Sequence, residues 1–376
     1  MQSSRSSVSV VTCYKHPDYV RALTIRAALE AGSEFDDVVT VKSSSRGALR
    51  YAQVTWALLR QRFTARPDAY LVTFRGYEIL PVVLLIAGRR PVVYDEFINP
   101  VEWFVEEHHK FAPGSLPAKA LRGVMRSFMK RTRRILADTH SHLVHSAQLM
   151  DLEQSRYRTV VVGTDEQTFR AIPPRKATDE FVVLYYGSML PLHGLDFVLG
   201  AAVELKDSPA ITFRFIGGDE DDRRKVEAAA AAGASVRYQH WVDYAELPGI
   251  FAECDLFLGG PFGATVQSRY VITGKTYQFL AAGLPVMIGA NEESRVFTHR
   301  TDSLIVEQGD AGAIAREIEW AAVNRERLNE IGQRGRELYD ERFSSAVVQR
   351  ELKGVFEPAT GSLPTDATTS SEGGPR

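Results

Sequence analysis

Twice along the chain, short β-branched runs alternate with longer amphipathic stretches, and that alternation leaves few folds open. In the first half VSVVT (8–12), DVVTV (37–41), AYLVT (69–73), RPVVY (90–94), HLVH (142–145) and TVVV (159–162) read as strands. Stretches such as DYVRALTIRAALEAG and GALRYAQVTWALLRQRF between them have helical spacing. The second half repeats the scheme with FVVLYYG (181–187), ITFRFIGG (211–218), SVRY (235–238), DLFLGG (255–260), PVMIG (285–289) and SLIV (303–306). Strands that are apolar on both faces and alternate with helices imply parallel sheets covered on both sides. A chain of 376 residues is too long for one ordinary domain and suits two such lobes, each with its own core. The expected class is therefore α/β, with two doubly wound, Rossmann-like lobes facing across a cleft. The first lobe is expected over 1–168. A polar, Pro-containing linker follows at 169–180, then the second lobe at 181–343 and a C-terminal helix at 344–357. The last stretch, 358–376, is rich in Ser, Thr, Gly and Pro and is expected to be disordered.

Charge and composition narrow the partners. The formal net charge is −2, so no global field draws the chain to nucleic acid, and none is expected as a partner. Cys13 and Cys254, far apart in sequence, form no disulfide framework. The longest apolar run, at 79–88, is about half of what spans a bilayer, and the N-terminus lacks a signal-peptide pattern. The expectation is a cytoplasmic protein, with contact at the inner face of the cell membrane left open. One segment bears on that contact. From His108 to Ala137 there is no acidic residue, while Lys119, Arg122, Arg126, Lys130, Arg131, Arg133 and Arg134 accumulate. A helix at 117–136, with Leu121, Val124, Met125, Phe128 and Ile135 on one face, has two readings. It is a solvated helix packed on its sheet, or a basic amphipathic helix suited to an anionic membrane.

In doubly wound sheets ligands bind beyond the carboxyl ends of the strands. Three constellations stand there in the second half. In YYGSMLPLHGLDFVLGAA (185–202) a strand ends before Gly187 and Ser188, and His193 precedes a helix, an arrangement that lets backbone N–H groups approach a phosphate. In FIGGDEDDRRKVEAAAAAG (215–233) Gly217 and Gly218 follow a strand. The run Asp219–Asp222 is then either an acidic metal site or a helix start; its placement favours the helix start, and no metal is expected. In the segment 259–289, Arg269 and Lys275 stand on a loop that enters a helix, where two cations suit a diphosphate, although solvated surface charges are the plainer account. Tyr277 and Gln278 follow on that helix.

The first half offers fewer candidates. Asp95 and Glu96 follow the strand RPVVY at its carboxyl end, where they serve either an acceptor or a helix cap. Asp138 and Thr139 precede the run HLVH. His140, His142 and His145 are explained more simply by scattered strand positions than by a metal.

The order of pieces in the second half resembles the C-terminal lobe of family-4 glycosyltransferases, which have the GT-B fold. The resemblance runs from about Phe181 to Phe343. It is carried by GSMLPLHGLD, FIGGD, YQHWVDYAELPGIFAECDLFL, RYVITGKTYQFLAAGLPVMIG, SLIVEQGD and ERFS in that order. The PLHG form is similar to a bacterial subgroup of that family. The first half resembles it more loosely, through TFRGYEILP (73–81), VVYDEFINP (92–100), ADTHSH (137–142) and VVVGTDEQTF (160–169). The resemblance implies transfer of a sugar from a nucleoside diphosphate to an acceptor hydroxyl with retention of configuration, and no metal or other cofactor. It gives Arg269, Lys275 and His193 catalytic duty at the diphosphate. Gly187, Ser188, Gly217, Gly218, Tyr277 and Gln278 would form the donor site, with Asp95, Glu96, Asp138 and Thr139 on the side of the acceptor, a glycan, lipid-linked or small molecule. Departures are visible. Ser188 and His193 stand where many members carry a cation, Gln278 replaces a ribose-binding Glu, and the family's other Glu, eight positions earlier, falls near Tyr270. A sugar-nucleotide epimerase and a non-catalytic sugar-nucleotide-binding partner are the competing functions.

Overall fold

The computed structural model describes residues 6–45 and 47–357. The tail expected to be disordered lies outside the described residues. Two six-stranded parallel sheets are present, one per lobe. In the N-terminal lobe the strands are β1 (Ser7–Thr12), β2 (Asp37–Lys42), β3 (Ala69–Val72), β4 (Val92–Asp95), β5 (Arg134–Ala137) and β6 (Tyr157–Thr159), in the order β2-β1-β3-β4-β5-β6. In the C-terminal lobe β7 (Phe181–Gly187), β8 (Ile211–Gly217), β9 (Val236–Gln239), β10 (Leu256–Leu258), β11 (Val286–Gly289) and β12 (Leu304–Val306) lie in the order β12-β11-β10-β7-β8-β9. The order reverses beside β1 in the first sheet and beside β7 in the second, the places where such sheets open a crevice.

Helices fill the connections. The first lobe has α1 (Val20–Ala31), α2 (Leu49–Thr64), α3 (Leu80–Ala87), α4 (Leu116–Met129) and α5 (His140–Met150). The second has α6 (Leu195–Glu204), α7 (Glu220–Ala231), α8 (Leu247–Phe251), α9 (Gly274–Ala281), α10 (Ala311–Val323) and α11 (Arg325–Arg342), and α12 (Ser345–Leu352) closes the described chain. Apolar strands pack on apolar helix faces: Tyr70, Val72 and Ile135 meet Val54, Leu80 and Met129 in one core, and Phe213 and Phe215 meet Val198 and Val226 in another.

Two expectations fail in the same place. The run HLVH is helical, inside α5, and the strand is RILA, Arg134–Ala137, which the expected basic helix at 117–136 had absorbed. The helix start is fixed by Thr139, whose Oγ1 accepts from His142 N at 3.1 Å. Four residues of alternating polarity cannot tell a strand from a helix, and a cap three residues upstream decides. The helix α4 stops at Met129, so Arg134 stands on a strand.

The chain crosses between lobes twice. An extended stretch over 160–180 leads out of β6, and α12 returns to pack on α1. Val348, Leu352 and Phe356 join Val8, Ile25 and Leu29 in the N-terminal core. The crossing is pinned by Glu166, which accepts from Tyr339 Oη at 3.0 Å and Ser345 N at 2.7 Å, and by Glu351, which accepts from Val161 N at 2.8 Å. Arg21 on α1 adds a third tie. It is fully buried, meets Asp95 at 2.8 Å and donates to the carbonyls of Val160 and Val161 at 2.6 and 2.8 Å.

Candidate functional site

The carboxyl ends of β7 and β8 meet backbone to backbone. Gly217 has φ +101°, and a Cβ there would run into the Gly187 carbonyl, while Gly218 N donates to that same oxygen at 3.0 Å. Any side chain at Gly217 would force the two loops apart. Below them Gly194 begins α6 with φ +70°, and a Cβ there would lie 2.5 Å from Gly263 N. Gly187 and Gly217 share one pocket with Tyr186, Trp241, Tyr244 and Gln278. Trp241 is exposed and Tyr244 partly so, and flat rings at a pocket mouth suit a planar base. Gln278 Oε1 accepts from Tyr186 Oη, and its Nε2 donates to Tyr244 Oη at 3.4 Å. Ser188 is exposed beside this pocket.

Beneath the glycines stands Lys275, in the first turn of α9. It is buried, its Nζ lies 4.2 Å from the Tyr185 ring centroid, and it donates to the Tyr186 carbonyl at 3.3 Å. Among the described residues it has no carboxylate partner, and burial pushes its ammonium down to about 7. His193, at the end of the turn before α6, is also held well below its ordinary value, by burial and then by Lys275. Its ring is neutral at physiological pH, and its Nδ1 is buried without a partner. A buried ammonium with one carbonyl acceptor and a neutral imidazole stand beside the dipole-positive end of α9, surroundings that favour an anion.

Several expected site residues do other work. Arg269 is exposed, makes no side-chain hydrogen bond or ion pair among the described residues, and is not among the charges that act on Lys275 or His193. Among the described residues no contact joins Arg269 to Lys275, and of the two cations Lys275 alone is buried. Tyr277 is fully buried, edge-on to Phe343 at 5.2 Å, and lines no pocket; it belongs to the core. Asp219 and Asp222 make a reciprocal capping box at the start of α7, with Asp219 Oδ1 accepting from Asp221 N and Asp222 N at 2.9 and 3.1 Å.

The four acceptor-side candidates are buried too. Asp95 is spent on Arg21. Glu96 is pushed up to about 8, by burial and then by Glu102, so it is protonated at neutral pH; it meets Asn99 Nδ2 at 2.5 Å and Ser146 Oγ at 2.9 Å. Asp138 accepts from His142 Nδ1 at 2.5 Å, and His142 Nε2 lies 3.4 Å from Glu102. Burial opposes the charge on His142, but Glu102 and Asp138 outweigh it and hold the imidazolium well above its ordinary value. Thr139 donates from Oγ1 to the Tyr270 carbonyl at 2.6 Å, across the lobes. Tyr270 completes the seam by stacking on His142 and His145 at 5.4 and 4.7 Å. Of the four, Thr139 reaches the other lobe, and Asp95, Glu96 and Asp138 are paired within their own. The histidines near them are paired with carboxylates, and among the described residues no group of three or more His, Cys, Asp or Glu could hold a metal.

The sequence reading missed an aromatic basin at the reversal point of the N-terminal sheet. Phe74 stacks on Tyr19 at 3.9 Å and meets Tyr14 edge-on at 5.0 Å. Arg75, held at φ +54° just after β3, lies over the rings of Tyr14, Tyr77 and Trp103. Arg75 also meets Tyr77 Oη at 2.7 Å and Glu78 at 3.3 Å, which hold its side chain in place. The segment TFRGYEILP carries Phe74, Arg75 and Tyr77, but nothing in its spacing brings Tyr14, Tyr19 and Trp103 to them.

Comparison with known proteins bears on both lobes. Residues 180–324 match the family described as glycosyl transferases group 1. Comparison with curated protein sequences gives no match. HepE of Anabaena, solved with UDP-glucose, is 14% identical over 92% of this chain and 97% of its own, with a TM-score of 0.68. Sucrose-phosphate synthase of Thermosynechococcus elongatus is 15% identical over 94% and 98%, with a TM-score of 0.69. A putative UDP-N-acetylglucosamine 2-epimerase of Listeria monocytogenes is 11% identical over 92% and 94%, with a TM-score of 0.54. The fold is GT-B, and the lobe that carries the glycine-lined pocket has the sequence pattern of the group 1 glycosyl transferases.

Proposed function

We propose that the chain transfers a sugar from a nucleoside diphosphate to an acceptor hydroxyl with retention of configuration. The observation that carries this reading is Lys275, a buried ammonium with no carboxylate partner, beneath two glycine turns and at a helix start. A diphosphate seated there would supply the missing charge and draw the Lys275 pKa back up. The pocket formed by Tyr186, Trp241, Tyr244 and Gln278 would take the nucleoside. The match of this lobe to the group 1 glycosyl transferases and the UDP-glucose held by HepE support the same donor class.

As the bond to the anomeric carbon breaks, negative charge grows on the leaving diphosphate. Lys275, the amide N–H groups at the start of α9 and the neutral His193 ring would stabilise it, and fixed donors of this kind lower the barrier without a divalent ion. The leaving phosphate would take the acceptor proton on the face it departs from, which is how configuration is kept. Asp95, Glu96 and Asp138 are all committed to internal partners, so none is free to act as a base or nucleophile. The same commitment weighs against an epimerase, which needs acid–base groups on the donor sugar itself. The aromatic basin around Phe74 and Arg75 would hold the acceptor. Nucleotide release with UDP-, GDP- and dTDP-sugars, with and without EDTA, tests the proposal. Release that persists in EDTA and stops in Lys275→Ala is the expected result; release by that variant at the wild-type rate overturns it.

A further inference from the structure

Exposed large apolar side chains are unevenly placed. Seven of those on the described surface lie on α2, α3 and α4, which line up side by side over one face of the N-terminal sheet. On α2 they form a stripe at seven-residue spacing, Leu49, Trp56 and Phe63, which puts all three on one side of the helix. Trp56, Phe63 and Leu85 are 64%, 75% and 79% exposed, and Leu116 begins α4 at 82%. Large apolar side chains gathered on one water-facing helix layer mark an interaction site.

Charge identifies the partner. The segments 43–67, 79–94 and 108–137 contain no Asp or Glu. Arg60, Arg66, Arg89, Lys119, Arg122 and Lys130 are exposed and meet no carboxylate among the described residues. We infer that this face of the N-terminal lobe lies on an anionic lipid bilayer, with Trp56, Phe63 and Leu85 entering the interface and the flanking cations meeting headgroups. A second copy of the chain is disfavoured, because a two-fold interface would set these unpaired cations against one another. Nucleic acid would engage the cations but leave the aliphatic stripe in water. Two cations of the α4 region take no part. Arg126 is held by Asp151 at 2.5 Å, and Arg134 donates to the Ser155 carbonyl at 2.6 Å. None of the surface residues lines the nucleoside pocket, so the inference stands apart from the proposed activity.

Flotation of the full chain with phosphatidylcholine vesicles, with and without phosphatidylglycerol, tests the docking. Binding is expected only with the anionic lipid and weakens as salt shortens the reach of the cations. Replacing Arg60, Arg122 and Lys130 by Gln should cost about five-fold per cation. The pair Trp56→Ser and Phe63→Ser should cost roughly ten-fold or more. Thermal unfolding of each variant at the wild-type temperature shows that the fold survives. Three results overturn the inference: no binding at low salt, equal binding to both vesicles, or a dimer in solution that the Trp56→Ser, Phe63→Ser pair dissolves.

Discussion

The two lobes share a layout and differ in what stands at the carboxyl ends of their strands. In the C-terminal lobe β7, β8 and β11 end in glycines, and the charged group there, Lys275, is buried with no carboxylate partner among the described residues. In the N-terminal lobe β4 ends in Asp95 with Glu96 after it, and Asp138 follows β5; each carboxylate is satisfied, Asp95 by Arg21, Glu96 by Asn99 and Ser146, Asp138 by His142. Unsatisfied buried charge is costly, so the first arrangement favours a bound anion and the second is a joint between elements of the N-terminal lobe.

The contrast can be broken most forcefully at the joint. Arg21→Ala leaves Asp95 and two carbonyls buried and unpaired, and should destabilise the protein by about 3–5 kcal/mol in denaturant titration. A loss under about 1 kcal/mol would mean that the ion pair is dispensable. Lys275→Ala should instead cost function: a turnover drop of about 10²–10³-fold, the scale of one lost donor to a developing anion. Its effect on stability should be opposite in sign. With the folded value near 7 and the unfolded value at its ordinary height, the unfolded chain binds more protons between them. Wild-type stability without ligand should therefore rise as pH increases through that window, and Lys275→Met should be more stable at pH 7 and lack the rise.

Smaller effects sharpen the same comparison. Gln278→Leu should weaken donor binding by about 1–3 kcal/mol, because ribose hydroxyls and two tyrosines lose a partner, while Gln278→Glu should retain it. Glu96 binds its proton up to about 8, so its contribution to stability falls as pH rises from its unfolded value through 8. Glu96→Gln imitates the protonated form and should be near neutral below the unfolded carboxyl value, stabilising at pH 6 and more so at pH 8.5. Arg269→Ala should alter turnover least, within about two-fold, since a solvated surface cation contributes little; a hundred-fold loss would restore Arg269 to the site.

Much of this architecture was legible in the sequence. Buried strands and amphipathic helices are local patterns, and they place both sheets and the glycine turns at 187 and 217. What escaped was set by distant partners. Asp95 looks like a site residue until Arg21, on another element, is found to consume it. Tyr277 and Gln278 are neighbours on one helix, and only the packing against Phe343 separates a core ring from a pocket residue. The strand RILA was lost in a basic run because sheet pairing with Tyr157–Thr159, not local propensity, holds it extended. The exposed stripe on α2 was equally hidden, since Trp56 and Phe63 have the spacing of core residues and only the fold leaves them facing water.

In the proposed function Lys275 is kept without a carboxylate so that a nucleoside diphosphate can neutralise it. Calorimetric binding of UDP, GDP and dTDP to wild-type protein and Lys275→Met, from pH 6 to pH 9, tests it most directly. The account predicts that at least one of them binds the wild type with an affinity that falls as pH rises past about 7, as binding comes to require proton uptake by Lys275. It predicts weak, pH-independent binding to the variant. Equal affinity and the same pH profile in the two proteins, or no binding of any nucleotide to the wild type, would contradict it.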